Sequence, residues 1–137
     1  MNLKRINSAA RAVRLPDTAL SHIRNLSVSI SCFSQYKKSI CISEDLAFAL
    51  GLMKTAAILP IQDEEVLMVA ETLPYNNAIP VTLENCNGAK IITGYGVVDL
   101  LTEVFDLDFT HHYWIDFRNI TLERLMRHTV ALVRISD

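Results

Sequence analysis

Five cationic or titratable side chains crowd into the seventeen residues from Arg118 to Arg134: Arg118, Arg124, Arg127, His128 and Arg134. A guanidinium is a planar fork of N–H donors that matches the oxygens of a carboxylate or phosphate. The pattern therefore suits a small acidic ligand, with Arg118, Arg127 and His128, together with Glu71, as the candidate binding residues. The competing use of these cations is pairing with nearby acids such as Asp116 and Glu123, which on a surface contributes only ~0–1 kcal/mol per pair.

Other chemistry is sparsely signalled. His111 and His112 are adjacent, so on a strand they would project to opposite faces and would not chelate one ion together. No metal site is assigned. The chain carries no P-loop, no GxSxG and no HExxH, and Gly94-Tyr95-Gly96 lacks the third glycine of a dinucleotide loop, so no cofactor is assigned. Cys32, Cys41 and Cys86 form no CxxC and leave one thiol over in any pairing scheme, which fits reduced cysteines filling space in a cytosolic protein.

Half of the 137 residues are apolar and a fifth are charged, enough for one hydrophobic core and too apolar for intrinsic disorder. The longest apolar stretches, 46–53 and 55–61, fall far short of the ~18 residues of a spanning helix, so no membrane is expected. Charge is unevenly spread. Residues 1–43 hold seven basic side chains and one acid, whereas residues 44–137 hold six and fourteen. An acidic body argues against a broad nucleic-acid surface, which needs clustered cations to displace phosphate counterions. Residues 1–15 read as a basic arm before a single domain at 16–137. The Arg- and Ser-rich, acid-poor start also fits an organelle-imported protein, against the leading expectation of a cytoplasmic one.

Periodicity supplies the elements that would position these residues. Residues 6–14 fit a short helix, and Pro16-Asp17-Thr18 starts another with Ala19, Leu20, Ile23 and Leu26 as its stripe. Val28, Ile30 and Cys32 alternate with serines, and a second run passes through Ile40 and Ile42, giving two strands. Ser43-Glu44-Asp45 caps a helix with Leu46, Ala49, Leu50 and Met53 on one face, running up to Gly51 and Lys54. Residues 56–61 and 66–73 read as strands across an acidic turn, and 74–80 as a loop. Asn87-Gly88 is a hairpin signal between 81–86 and 89–94, because both turn positions of a type I′ turn need positive φ. Residues 97–105 form a helix, and 109–120 alternate as one long strand. Thr121 caps a short helix at 122–128, and 130–135 is the last strand. No repeat is evident. The fold class expected is α+β, a mostly antiparallel sheet with helices on one face.

The order of these elements resembles the fold shared by chorismate lyases and the UTRA effector-binding domains of bacterial regulators. The resemblance rests on Pro16 and Leu20, on the unit from Asp45 to Pro74 with its edge Glu65-Val66-Leu67-Met68-Val69-Ala70, and on the elements from Val98 to Ile135. It implies a small-ligand-binding or regulatory domain for an acidic or aromatic metabolite. The pocket would lie between the sheet and the 97–105 helix, lined by Arg118, Arg127 and Glu71. An enzyme acting on a small aromatic carboxylate is the alternative, but the lyases' arginine has no counterpart in 56–61 and their late acid none in this sequence. A weaker resemblance links Ile79-Pro80-Val81, Gly88 and Gly94–Leu101 to adenosyl-binding CBS domains, although Gly96 stands where a ribose-contacting hydroxyl is needed. The third class is a non-enzymatic interaction protein, whose mark would be a large exposed apolar patch in place of a pocket. A homodimer is compatible with all three.

Overall fold

The computed structural model describes residues 13–14, 25–93 and 95–135, with Val13, Arg14 and Tyr95 described by backbone alone. Most of the basic arm, the stripe from Ala19 to Ile23, and Gly94 lie outside the described residues.

Alternation builds the first two paired strands, β2 (Val28–Ser34) and β3 (Lys37–Ile42). Val28 faces Ile42 and Ile30 faces Ile40 across the ladder, so the four apolar side chains share one face, and all are almost fully buried. Helix α1 (Glu44–Leu50) follows at once. The Ser43 hydroxyl accepts from the Leu46 N–H, Glu44 and Asp45 sit at the positive end of the helix dipole, and Gly51 closes the helix at φ +67°. Then come β4 (Thr55–Ile61) and β5 (Val66–Ala70), separated by a 3-10 turn at Gln62–Glu64. The chain from 79 to 86 serves two sheets. Ile79–Thr82 (β6) pairs with β4, while Glu84–Cys86 (β7) forms a hairpin with β8 (Ala89–Thr93) around Asn87 and Gly88, both at positive φ. Helix α2 (Tyr95–Phe105), β9 (Trp114–Phe117), β10 (Ile120–Leu125) and β11 (His128–Arg134) complete the second half, and β1 (Val13–Arg14) pairs with β10.

The fold is mixed α+β and its strands are antiparallel, but they form two sheets: β1-β10-β11-β5-β4-β6 and β7-β8-β3-β2-β9. Leu46, Leu50, Val98 and Leu101 of the helices join residues of both sheets in the central core. A second buried cluster, including Leu59, Met68, Leu125 and Leu132, occupies the other face of the six-stranded sheet.

Three expected elements are corrected. Val13–Arg14 is a strand, not the end of a helix. The long strand at 109–120 shrinks to Trp114–Phe117, because the Asp108 carboxylate captures both the backbone N–H (2.9 Å) and the hydroxyl of Thr110 and bends the chain into a local turn. The helix at 122–128 is instead β10, a turn at Met126–Arg127, and the start of β11. Residues three apart share a helix face but lie on opposite faces of a strand. Accordingly Leu122 enters the central core, Leu125 enters the second cluster, and Met126 is exposed at φ +58°.

An internal repeat emerges that the amino-acid types do not display. Hairpin β2-β3, helix α1 and hairpin β4-β5 are followed by hairpin β7-β8, helix α2 and hairpin β10-β11. The halves meet at β3 against β8 in one sheet and at β5 against β11 in the other. Even the flanking strands correspond: β1 precedes the first half and borders β10, and β6 precedes the second and borders β4. The helices are exchanged, α1 packing on β8 and β11 and α2 on β2 and β3. They also end alike. Gly51 and Asp106 (φ +52°) are left-handed, and the next residues, Leu52 and Leu107, each donate a backbone N–H at 3.0 Å to the carbonyl five residues back, on Ala47 and Thr102. Among the described strands, β9 alone has no counterpart.

Candidate functional site: an aromatic ledge on the strand that breaks the repeat

Four residues, 51–54, link α1 to β4, whereas fourteen, 106–119, link α2 to β10. The extra length carries β9 and a cluster of large exposed side chains. Ile115 and Phe117 point inward and anchor β9 to the central core. Trp114, on the opposite face, is 58% exposed, and Tyr113 just before it is 63% exposed. Both lie beside β2, where the register shifts between Cys32 and Ser34, a bulge of the kind that re-aims a side chain. Phe33, in that irregular stretch, stacks its ring on Tyr113 with 6.0 Å between centroids and 25° between planes. Tyr36 in the following turn is also exposed. His111, His112, Tyr113 and Trp114 line a shallow, open depression of about 160 Å³.

The surroundings are polar and tightly placed. Asp116 accepts from the Ser29 hydroxyl and from Arg118 Nε, each at 2.7 Å, which fixes its carboxylate next to β2. The Ser31 and Ser39 hydroxyls meet at 3.0 Å on the same face of the sheet. The two hydrogen bonds from Thr110 hold the Asp108 carboxyl below the usual carboxylate range, with His111 and His112 adding in the same direction. Elsewhere, burial pushes the Cys41 thiol upward, away from the reactive thiolate.

The residues singled out from the sequence are not all brought together. Glu71 lies just beyond β5, and Arg127 and His128 at the β10–β11 turn. The register that sets Ala131 opposite Val69 places these three at one end of the six-stranded sheet, all exposed. Arg118 is at the other end of β10, whose six residues span about 20 Å at ~3.3 Å each, and is bound to Asp116. Arg124 donates to the Thr129 hydroxyl. Val98 and Leu101, at most 1% exposed, fill the contact between α2 and the five-stranded sheet. Three depressions lined by described residues, of about 130, 160 and 290 Å³, include none of Arg118, Arg127, Glu71 or His128.

Phe33, Tyr36, Tyr113 and Trp114 were not among the candidates read from the sequence. A signal was present: the sole tryptophan falls in a nine-residue stretch, 109–117, with two phenylalanines and a tyrosine. Alternation assigned those rings to the two faces of one long strand, with Tyr113 and Trp114 on opposite sides. Comparison of the chain with family models, curated proteins and solved structures finds no match.

Proposed function

We propose that this protein is a non-catalytic interaction domain that grips a protein partner with the ledge of Phe33, Tyr36, Tyr113 and Trp114. One observation carries the reading: the segment that departs from the internal repeat is the one that brings exposed aromatic rings together. Exposing such rings on a monomer surface has a cost in solubility that a partner removes. Tyr, Trp and Arg are also the residue types that dominate binding energy at interfaces, and Arg118 stands at the rim, 68% exposed. The open depression beside them suits one inserted side chain better than an enclosed metabolite.

The test is affinity capture from cells of the source organism with wild type and with a Tyr113→Ala, Trp114→Ala variant. Any protein retained by the first and lost by the second is then purified and titrated. A purified partner whose affinity is unchanged by the double substitution removes the ledge from the function.

A second reading keeps the small-acid sensor with a chorismate-lyase or UTRA-like fold. It is favoured by Glu71, Arg127 and His128 lying at one end of the six-stranded sheet. Arg127→Lys should then weaken the thermal stabilisation given by small carboxylates, because an ammonium does not reproduce the guanidinium fork. Equal stabilisation of both proteins sinks this reading.

A further inference from the structure

We infer that the partner is an extended peptide segment that adds a strand to the edge of β9 that no described strand covers; the inference rests on the interaction reading and names what the ledge accepts. The backbone decides this. In an antiparallel ladder, residues alternate between bonding to one neighbour and pointing their N–H and C=O the other way. The Cys32 N–H donates to the Tyr113 carbonyl at 2.7 Å, which makes Cys32 and Tyr113 a hydrogen-bonded pair. Stepping by two along the register, Ile30 with Ile115 and Val28 with Phe117 are the next such pairs. On the far side of β2, the Ser43 N–H donates to the Ser27 carbonyl, so Ser29 and Ser31 bond toward β3. The two ladders agree. The N–H and C=O groups of Trp114 and Asp116 therefore point away from the sheet, at an edge that pairs with no other described strand.

The other described edges are blunted. β6 contains Pro80, which has no N–H to give, β1 is two residues long, and β7 is three residues long and begins with Glu84. β9 is also short, but its core-facing Ile115 and Phe117 hold it in place while Trp114 stands exposed on its other face. An added strand satisfies the outward backbone groups, and the depression at His111–Trp114 takes an apolar or aromatic side chain next to Trp114. A sugar or a helix would leave those backbone groups to water. A nucleic acid finds no excess of cations here, because Asp108 and Asp116 offset Arg118 and Lys37.

The experiment selects random linear peptides displayed on phage against the full chain and titrates the synthesised winners, following the fluorescence of Trp114, the only tryptophan. Two substitutions at one position separate backbone from side chain. Asp116→Pro deletes an outward N–H that β2 does not use, whereas Asp116→Ala removes the carboxylate and keeps the N–H. We expect Asp116→Pro to weaken binding by about tenfold or more relative to Asp116→Ala. Should Asp116→Pro fail to fold, peptides N-methylated at alternate residues serve instead: methylation along one edge should abolish binding, and methylation along the other should not. Peptides lost on Trp114→Ala but indifferent to Asp116→Pro and to N-methylation overturn strand addition and leave the ledge as the binding surface. Winners indifferent to Trp114→Ala overturn both, and a selection without winners overturns the inference. If the chain sediments as a dimer that Asp116→Pro dissociates, the occupant is a second copy of the chain and the inference of a foreign segment fails.

Discussion

The ring of Phe33 stacks on that of Tyr113 at 6.0 Å and 25°, although both side chains are more than half exposed. The pair joins the bulged end of β2 to the segment just before β9, eighty residues later in the chain. An aromatic pair of this geometry contributes ~0.5–1.5 kcal/mol beyond burial. A double-mutant cycle with Phe33→Ala and Tyr113→Ala, read by urea unfolding, should return a coupling energy in that range. Strict additivity of the two single changes would mean that the rings touch without holding the segment in place.

The Asn87-Gly88 turn offers a test of backbone strain. Gly88 has φ +92°, and a Cβ there would lie 2.6–2.9 Å from side-chain atoms of Glu44. Glu44 is an exposed, flexible side chain that can move aside, so most of the penalty is conformational. Gly88→Val should lower stability by roughly 1–3 kcal/mol. Pairing it with Glu44→Ala should recover only a small part of the loss. Full recovery would show that the clash, not the dihedral angle, sets the cost.

What was legible in the sequence follows from how local each signal is. Ser43 as a cap and Asn87-Gly88 as a turn were readable because one or two residues and the backbone decide them. β10 was not. Its Leu122 and Leu125 have helical spacing, and only the partner strand β11, which pairs with all six of its residues, draws the segment into a sheet. The repeat was hidden for a related reason, because what the halves share is backbone conformation and strand order more than residue identity. The ledge stayed hidden because alternation indicates that successive side chains point to opposite sides, but not that the segment before residue 114 leaves the sheet.

The matched helix ends make a prediction that neither half supports alone. Gly51 adopts φ +67° at no steric cost, while Asp106 holds φ +52° with a side chain. A Cβ on Gly51 would meet nothing closer than Glu71 Oε2 at 4.0 Å, so space is available and the penalty of Gly51→Ala is conformational, about 1–2 kcal/mol. Asp106→Gly should act in the opposite sense and stabilise by up to about 1 kcal/mol. Chemical denaturation of both variants checks the correspondence. A loss of stability in Asp106→Gly would mean that the aspartate side chain is needed where the glycine of the first half is not.

The turn that opens the ledge segment should respond to acid. The hydroxyl and then the backbone N–H of Thr110 hold the Asp108 carboxyl below its usual range, so the folded chain binds that proton less readily than the unfolded one. The sign follows from linkage: the contribution is present above the ordinary aspartate pKa near 4 and is lost as pH falls through the depressed folded value. Because Asp108 is fully exposed, the effect is local and too small to govern global unfolding. The readout is therefore Trp114, the single tryptophan, six residues along. Its emission should change between about pH 4 and lower values, before the cooperative loss of far-ultraviolet dichroism. Asp108→Asn keeps an acceptor for the Thr110 N–H but has no proton to gain, so it should flatten that early change while leaving the later global transition in place. An unaltered profile in Asp108→Asn would show that a group other than Asp108 moves the ledge.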